Sequence, residues 1–229
     1  MQTNGKKRDV ATDAIRRLVL FKYQPGDCLS EAQLVADLEE EYSLRVSRTP
    51  IRHAVSVLEA EGLISVKPKQ GTIVRYITPR EVAEIQSARL ANELWCVSKL
   101  AQGFADGKNF DLAEPTRVLR EMKTIAAKKK RRNEADENSF CELDLEFHCK
   151  LAVAAGYETT IYPFLRQLRS RFMLIAEPGA GSFSDSTVKE HNQILMMIRR
   201  GCVKDARSAM RKHLGNAKRR WQYSNASVQ

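Results

Sequence analysis

The 229-residue chain lacks any long apolar run. A helix that crosses a bilayer needs about 20 consecutive, mostly apolar residues, and no segment of this sequence approaches that length. The N-terminus, MQTNGKKRDV, contains basic residues but no apolar segment after them, so we do not expect a secretory signal peptide. The sequence therefore predicts a cytoplasmic protein with no membrane partner.

Cysteines are few and do not occur in pairs along the chain. There are five, an odd number, and no two are arranged as Cys-x-x-Cys. A disulfide framework and a cysteine-rich zinc knuckle are therefore both disfavoured. Free thiols in a reducing compartment are the interpretation that remains.

Positive charge is in excess, with a formal net charge of +10, but its placement is not typical of a polyanion-binding surface. Residues 1–75 carry 12 Lys and Arg against 10 Asp and Glu, a net charge of +2, and residues 76–229 carry 26 against 18, a net charge of +8. Part of this second surplus lies in the runs at 128–132 and 218–220. Such runs are most often solvated faces, so net charge alone does not establish nucleic-acid binding.

The first 76 residues follow the order helix, helix, helix, hairpin. Apolar residues at helical spacing predict a first helix over 9–22, and Ser30, with a glutamine three residues later, is a typical start for a second. A third helix is predicted from near Ser47 to Gly62, a residue that favours helix ends. Two short β-rich runs flank the basic segment KPKQG and predict a two-stranded hairpin.

After the hairpin the pattern is helical throughout. Thr78, Pro79 and Glu81 form an N-terminal helix signature, which places a domain boundary just before them. We expect six helices, over about 79–104, 110–130, 136–155, 158–176, 184–200 and 203–220, with a break at PGAG (178–181) before the fifth. Short connections favour antiparallel neighbours. The sequence therefore predicts a mainly α protein, with a small helix-and-hairpin domain in 1–76 and an all-α antiparallel bundle in 77–229.

The third helix carries arginines and hydroxyls at its N-terminal end. The apolar stripe that begins at Ile51 must face inward, whereas Arg48 and Arg52 lie on another stripe. This arrangement is typical of a recognition helix, whose first residues enter the major groove, where Arg can pair bidentately with guanine. The hydroxyls of Ser47 and Thr49, together with the helix N-terminus, favour phosphate oxygens.

The hairpin supplies a second set of candidate DNA contacts. Its basic tip can lie along the DNA backbone or reach the minor groove, so that helix and hairpin would contact different surfaces of one duplex. The candidate residues are Lys67, Lys69, Gln70, Gly71 and Thr72. Composition alone does not distinguish a recognition helix with a DNA-binding hairpin from an ordinary surface helix with scattered arginines.

The order of short motifs in this region resembles the winged helix-turn-helix domain of the GntR family of bacterial transcription regulators. Members carry the pattern P-G-x-x-L-x-E, then S-R-T-P-V-R, then L-x-x-E-G-L, then a wing that ends in G-x-x-V. The corresponding segments here are 25–31 (PGDCLSE), 47–52 (SRTPIR), 58–63 (LEAEGL) and 71–74 (GTIV). The resemblance implies that Arg48, Arg52 and the wing residues contact DNA.

One segment departs from the family pattern. Between Glu31 and Ser47 the chain is several residues longer than is usual, through the acidic stretch within 37–46. Either the second helix is extended or the turn after it is enlarged. Because carboxylates repel phosphate, we expect the three glutamates at 39–41 to lie away from DNA.

Three of the four histidines lie on apolar helix faces in the second domain. Asp144 and His148 are four residues apart and share a face, and His191 and His213 fall on the inward stripes of two later helices. Buried imidazoles and a buried carboxylate need partners, and one divalent metal would satisfy all four. This ligand set suits Zn²⁺, Ni²⁺, Mn²⁺ or Fe²⁺. The alternative for each histidine is an ordinary hydrogen-bonded core residue.

The second domain resembles the FCD effector domain, which is found at the C-terminus of the fatty-acid regulator subfamily, and its six helices are similar to the shorter VanR-like branch. The pattern is R-x-x-x-E on the first bundle helix, D-x-x-x-H, an E-H pair and a late histidine. The matching residues are Arg89 and Glu93, Asp144 and His148, Glu190 and His191, and His213. The resemblance implies a metal held by the aspartate and the three histidines, and a small carboxylic acid as effector.

Arg89 is the candidate to receive the carboxylate of that acid, because a guanidinium matches a carboxylate bidentately. The alternative is an ordinary ion pair between Arg89 and Glu93, which lie one helical turn apart.

These features predict a DNA-binding transcription regulator, not an enzyme, whose operator affinity is set by a small carboxylic acid. It would bind a pseudo-palindromic operator as a homodimer. A metal-dependent enzyme that uses the same four ligands is one alternative, although no general base beyond the ligands and no nucleophile motif stands out. A sequence-indifferent DNA binder is another, which the +2 charge of residues 1–75 disfavours.

Overall fold

The computed structural model describes residues 2–174 and 185–226. Within them the chain forms nine α-helices and three short strands. The helices are α1 (Gln2–Phe21), α2 (Glu31–Tyr42), α3 (Arg48–Ala60), α4 (Pro79–Ala105), α5 (Ala113–Ala127), α6 (Glu134–Ala154), α7 (Ile161–Met173), α8 (Asp185–Arg199) and α9 (Val203–Ala226). The strands are β1 (Cys28–Leu29), β2 (Ile64–Lys67) and β3 (Gly71–Val74), and a 3₁₀ turn, Lys129–Arg131, follows α5. The described residues divide into two compact units, one of 2–78 with 170–174 and the other of 79–169 with 185–226.

The predicted mainly α architecture is confirmed. Helices α4 to α9 are the six that the sequence predicts after the hairpin. The predicted break at 178–181, the last residues of the helix expected over 158–176 and the first residue of the helix expected over 184–200 lie outside the described residues. A third strand, β1, extends the predicted two-stranded hairpin. It is not predicted from the sequence, because a strand of two residues has no measurable periodicity.

The first unit consists of three helices and one antiparallel sheet with the strand order β1-β3-β2. In this sheet Lys67 pairs with Gly71, and Cys28 pairs with Ile73. The three helices pack on one another around an apolar core that is closed by the inner face of the sheet. Large apolar side chains that are almost completely buried in this core include Ile15, Leu18, Leu34, Leu38, Ile51, Leu58, Leu63, Ile64 and Val74.

The acidic segment 37–46, in which the chain is longer than the family pattern, lies partly in helix α2 and partly in the turn after it. Helix α2 continues to Tyr42, Ser43 takes the left-handed conformation with φ 50°, and residues 43–47 form the turn that leads into α3. Within the acidic stretch, Glu39 Oε1 lies 2.6 Å from Arg45 Nε and Glu41 Oε1 lies 2.9 Å from Lys22 Nζ. Part of the negative charge is therefore neutralised inside this unit.

The second unit is a helical bundle built around the long helix α4, which contacts α6, α8 and α9. Helix α5 packs on α6 and α8, and α8 packs on α9. Large apolar side chains from these helices form one continuous core, which includes Val97, Leu100, Val118, Met122, Phe140, Phe147, Ile194, Ile198 and Met210. None of the helices that the structure describes is both long and apolar enough to cross a membrane.

Candidate metal centre and nucleic-acid interface

Four side chains from three helices converge inside the second unit. Helix α6 carries Asp144 and His148, α8 carries His191 and α9 carries His213. Their ligand atoms all lie within 4.8 Å of one another. The Nε2 atoms of His148 and His213 are 3.1 Å apart, and His191 Nε2 is 3.3 Å from each of them. Asp144 Oδ1 is also 3.3 Å from His191 Nε2.

Each ligand candidate lies on the buried face of its helix, as helical periodicity predicts. The buried neighbours one or two turns away are Leu151 and Ala155 beside His148, Ile194, Leu195 and Ile198 beside His191, and Ala206 and Met210 beside His213. The three histidine side chains are consequently at most 2% exposed, whereas the Asp144 side chain keeps 26% of its surface accessible. Solvent therefore reaches this cluster on the side of the carboxylate.

Two outer carboxylates orient two of the imidazoles. Glu93 Oε2 faces His148 Nδ1, and Glu190 Oε2 lies 2.8 Å from His213 Nδ1. Asn216 donates a hydrogen bond of 2.5 Å to the other oxygen of Glu190. The ring of His191 instead stacks on Phe147 with centroids 4.1 Å apart. Carboxylates that receive the second N–H of a histidine are typical partners of metal-bound imidazoles.

The histidine cluster fits a divalent cation. A neutral imidazole whose Nδ1 gives its proton to a carboxylate must present a lone pair at Nε2. The contact between His213 Nδ1 and Glu190 favours that form for His213, whose Nε2 lone pair then lies 3.1 Å from His148 Nε2, a spacing at which one cation can bind both rings. Two nitrogens bound to one Zn²⁺ at about 2.0–2.1 Å lie about 3.3–3.4 Å apart in a tetrahedral site, close to the spacings found here.

The electrostatics of the cluster keep the ligands in the forms that bind a metal. Burial, followed by the charge of Arg169, lowers the pKa of His148 well below its ordinary value, and burial followed by His213 does the same for the pKa of His191. Burial alone would raise the pKa of Asp144, but Arg169 and the imidazoles outweigh it, and this pKa lies below its ordinary value. Neutral imidazoles and an ionised carboxylate are the ligating forms.

Two arginines are buried beside this cluster. Arg89 on α4, the sequence-based candidate for the effector, is 1% exposed, and its Nε donates a 3.0 Å hydrogen bond to Glu93 Oε1. The pairing considered as the alternative from the sequence is thus present in the structure. Arg169 on α7 is 5% exposed and donates through Nη2 to Asp144 Oδ2.

The roles of Arg169, Glu93 and Glu190 are not predicted from the sequence. Both glutamates belong to motifs quoted for the FCD resemblance, so their spacing from Arg89 and His191 is a signal that could have identified them. Arg169 has no such signal, because α7 contains three arginines within six residues and only the packing of the bundle distinguishes one of them.

The predicted recognition helix presents its polar residues outward. Helix α3 begins at Arg48 after the N-cap Ser47, whose side chain makes no capping hydrogen bond. Ser47, Arg48, Thr49 and Arg52 are all exposed, whereas Ile51, Ala54 and Leu58 on the opposite stripe are fully buried. Arg52 Nε lies 2.7 Å from Glu31 Oε1, and the Arg52 side chain remains 68% exposed. Such an exposed pair contributes little to stability, so it does not lock the guanidinium in place.

The other predicted DNA contacts lie in the wing, the hairpin of β2 and β3 that follows α3 in the chain. Lys67, Lys69, Gln70 and Gly71 are exposed, and Thr72 is half-buried. Lys69 and Gly71 take the left-handed conformation, with φ 65° and 86°, which closes the turn between β2 and β3. The two cationic side chains are thereby held at the tip of a short hairpin.

Both parts of the chain match family models. Residues 7–74 match the bacterial regulatory proteins of the gntR family, and residues 83–216 match the FCD domain. The chain belongs to the GntR family of regulators that carry an FCD domain. Over 219 residues it is 32% identical to an uncharacterized HTH-type transcriptional regulator in an unstable DNA locus of Streptomyces ambofaciens, a match that covers 93% of this chain and 84% of that relative.

Further comparisons agree with this family assignment. The gluconate operon transcriptional repressor of Bacillus licheniformis is 29% identical over 169 residues, which cover 73% of this chain and 63% of the repressor. The crystal structure of a GntR transcriptional regulator from Rhodococcus sp. RHA1 has a TM-score of 0.74 at 20% identity and covers 97% of this chain and 98% of its own. At that identity the structural likeness shows the fold alone. The relatives are named as transcriptional regulators rather than enzymes.

Proposed function

We propose that this GntR-family protein is a DNA-binding transcription regulator whose operator affinity is controlled by a small carboxylic acid bound beside a divalent metal in its FCD domain. The observation that carries the proposal is the convergence of three buried Nε2 atoms within 3.3 Å of one another, in a chain that also presents an exposed, arginine-bearing helix. In this proposal the histidine cluster binds the metal and the effector, and the exposed helix binds DNA.

The DNA-binding part of the proposal rests on α3 and the wing. Arg48 and Arg52 are assigned to base edges in the major groove, because a guanidinium matches the paired acceptors of guanine. Ser47 and Thr49 at the helix N-terminus are assigned to phosphate oxygens. The wing residues assigned to the DNA backbone or minor groove are Lys67, Lys69, Gln70, Gly71 and Thr72. In this proposal 1–76 is the DNA-binding domain.

The sensing part of the proposal rests on 77–229, in which Asp144, His148, His191 and His213 would hold the metal. Zn²⁺, Ni²⁺, Mn²⁺ and Fe²⁺ all accept such ligands. When bound, the ion supplies a Lewis acid for an oxygen atom of the effector. Glu93 and Glu190 orient two of the imidazoles from outside, and Asp144 marks the side from which solvent reaches the cluster.

Charge balance favours an anionic effector. The buried cations Arg89 and Arg169 are balanced by Glu93 and Asp144. Glu190 beside His213 offsets one charge of a divalent ion, so one positive charge remains that these side chains do not cancel. Buried charge is stable only when it is paired. A carboxylic acid supplies the missing negative charge, with Arg89 as the residue predicted from the sequence to receive it. Gluconate, for whose operon one relative is named, is an acid of this kind.

Regulation then follows from differential binding. We propose a homodimer that places two winged helices on the two halves of a pseudo-palindromic operator. An acid that binds one arrangement of the dimer more tightly than another shifts the population towards it and changes operator affinity.

The test begins with selection of preferred duplexes from a random DNA library by the full-length protein. Operator affinity is then measured with and without gluconate, beside the metal content and the molar mass in solution. We expect a two-fold symmetric site, about one metal ion per chain, a dimeric mass and an affinity that changes with gluconate. Selection of no preferred sequence would contradict the regulator assignment and support sequence-indifferent binding.

A further inference from the structure

Arg169 is a buried arginine with hydrogen-bond donors left over. Its Nη2 donates to Asp144 Oδ2, but its Nε and Nη1 have no hydrogen-bond partner among the described residues. For Nη1, the carboxylate oxygen Glu93 Oε1 is 3.9 Å away, which is too long for a hydrogen bond. An arginine that is 5% exposed and incompletely paired is costly, and such a group commonly marks the place of a missing ligand.

Arg89 differs from Arg169 in this respect. Its Nε is held by Glu93, and none of its nitrogens is among the buried donors that lack a partner in the described part of the chain. The second oxygen of Glu93 faces His148 Nδ1. Arg89 therefore acts on the metal centre indirectly, because it holds the carboxylate that orients one of the ligands.

The location of Arg169 also favours it over Arg89 as an effector contact. The two oxygens of Asp144 face different partners, Oδ1 towards His191 Nε2 and Oδ2 towards the Arg169 guanidinium. Arg169 is thus next to the one ligand candidate whose side chain solvent reaches. An anion bound beside Asp144 would therefore be close both to the candidate metal ligands and to the Arg169 guanidinium, whose Nε and Nη1 are buried without a hydrogen-bond partner in the described part of the chain.

We propose that Arg169, rather than Arg89, receives the carboxylate of the effector acid, and that Arg89 is a positioning residue. This assignment rests on the proposed function. Because Nε and Nη1 lie on different edges of the guanidinium, one carboxylate does not satisfy both. The acid that fits best carries a further oxygen, such as the hydroxyl groups of a hydroxy acid, and binds more tightly than acetate.

The experiment uses the full-length protein loaded with Co²⁺, whose visible spectrum reports the coordination of the ion. Gluconate and acetate are titrated by calorimetry and by absorbance, and sorbitol, which has an alcohol where gluconate has a carboxylate, is the matched control ligand. The variants are Arg169→Gln, Arg169→Lys and Arg89→Lys. Arg166→Gln removes a charge from the same helix one turn away and serves as the control variant.

For wild type and Arg166→Gln we expect gluconate to bind, acetate to bind more weakly and sorbitol not to bind. Arg169→Gln should hold Co²⁺ yet bind gluconate about 10- to 100-fold more weakly, the loss typical of charge-assisted hydrogen bonds. Arg169→Lys should recover part of this loss, because it keeps the charge but not the planar fork. Arg89→Lys should lower Co²⁺ affinity, because Arg89 holds the carboxylate that faces His148. It should change gluconate binding to the Co²⁺-loaded protein by less than about 3-fold, because lysine keeps a positive charge beside Glu93.

Unchanged gluconate affinity in Co²⁺-loaded Arg169→Gln would overturn the assignment while leaving the proposed function intact. A larger loss in Arg89→Lys than in either Arg169 variant would likewise return the role to Arg89. If wild type binds neither acid, the proposed acid site itself fails and the assignment with it. If Arg169→Gln does not retain Co²⁺, Arg169→Lys decides the question. Wild-type gluconate affinity and selectivity in that variant would contradict a role that needs the separate donors of the guanidinium.

Discussion

At the scale of single residues, the proposed metal centre depends on side chains outside its four candidate ligands. Glu190 receives the Nδ1 proton of His213 and is itself held by Asn216. Its carboxylate fixes the tautomer that turns the His213 Nε2 lone pair towards the other ligands. In the sequence Glu190 is only the neighbour of His191. Its hydrogen bond with His213, which lies on another helix, results from the packing of the bundle.

Glu190→Gln should therefore lower metal affinity about 10- to 100-fold, the usual cost of losing such an outer partner. A neutral amide still fits the space but is a weaker acceptor for the imidazole N–H. Competition with a chromophoric chelator measures the change. Glu158→Gln, at an exposed position of the same unit, is the matched control and should equal wild type. Equal affinities of both variants would show that Glu190 does not support the metal.

Arg48→Ala and Arg52→Ala should each remove sequence preference without unfolding the protein. A bidentate arginine–guanine pair discriminates against a wrong base by about 1–3 kcal/mol, whereas an exposed substitution usually changes stability by less than about 0.5 kcal/mol. Affinities for the selected operator and for a scrambled duplex, together with thermal melts, measure both quantities. Arg45→Ala, which removes an equally exposed charge before α3, should preserve the preference. Retained preference in both Arg48→Ala and Arg52→Ala would refute the recognition-helix assignment.

At the scale of elements, periodicity explains which parts of the fold the sequence could predict. Helix α3 is predictable because Ile51, Ala54 and Leu58 are fully buried at helical spacing and Gly62 ends the helix with φ 74°. Strand β1 is not, because its pairing with β3 is a long-range contact that two residues do not encode. Arg169 is missed for the same reason, since its pairing with Asp144 depends on how α7 packs on α6 and not on local pattern.

The wing should contribute to DNA binding mainly through charge. Lys67 is exposed at the end of β2, and Lys69 is exposed within the turn between β2 and β3. If both contact phosphates, Lys67→Ala/Lys69→Ala should reduce the slope of log affinity against log salt concentration by about 2, with little change in sequence preference. Fluorescence anisotropy over a series of salt concentrations measures the slope. Lys108→Ala, an exposed lysine of the other unit, should leave it unchanged, and an unaltered slope in the wing variant would remove the wing from the DNA contacts.

At the scale of the whole molecule, the metal should link folding of the second unit to its ligand state. An ion that binds only the folded protein stabilises it by about 2.7 kcal/mol when its free concentration is 100 times its dissociation constant. The proposed ligands come from three helices, and the Nε2 atoms of His148 and His213 lie 3.1 Å apart inside the core, so a bound ion would tie these helices together. The sequence predicts the identity of these ligands from their helical faces, but their convergence on one point depends on how α6, α8 and α9 pack.

Treatment with a chelator should therefore lower the melting temperature of wild type, and readdition of Zn²⁺ should restore it. His191→Ala removes one of three mutually adjacent nitrogens and should show no difference between treated and untreated protein. His53→Ala, which removes the exposed histidine of the first unit, should respond to the chelator as wild type does. Since α3 and the wing belong to the other unit, His191→Ala should still bind the selected operator, though without a response to gluconate. If neither the chelator nor added metal changes the melting temperature of wild type, the histidines are ordinary core residues. The proposed sensing mechanism would then not involve a metal.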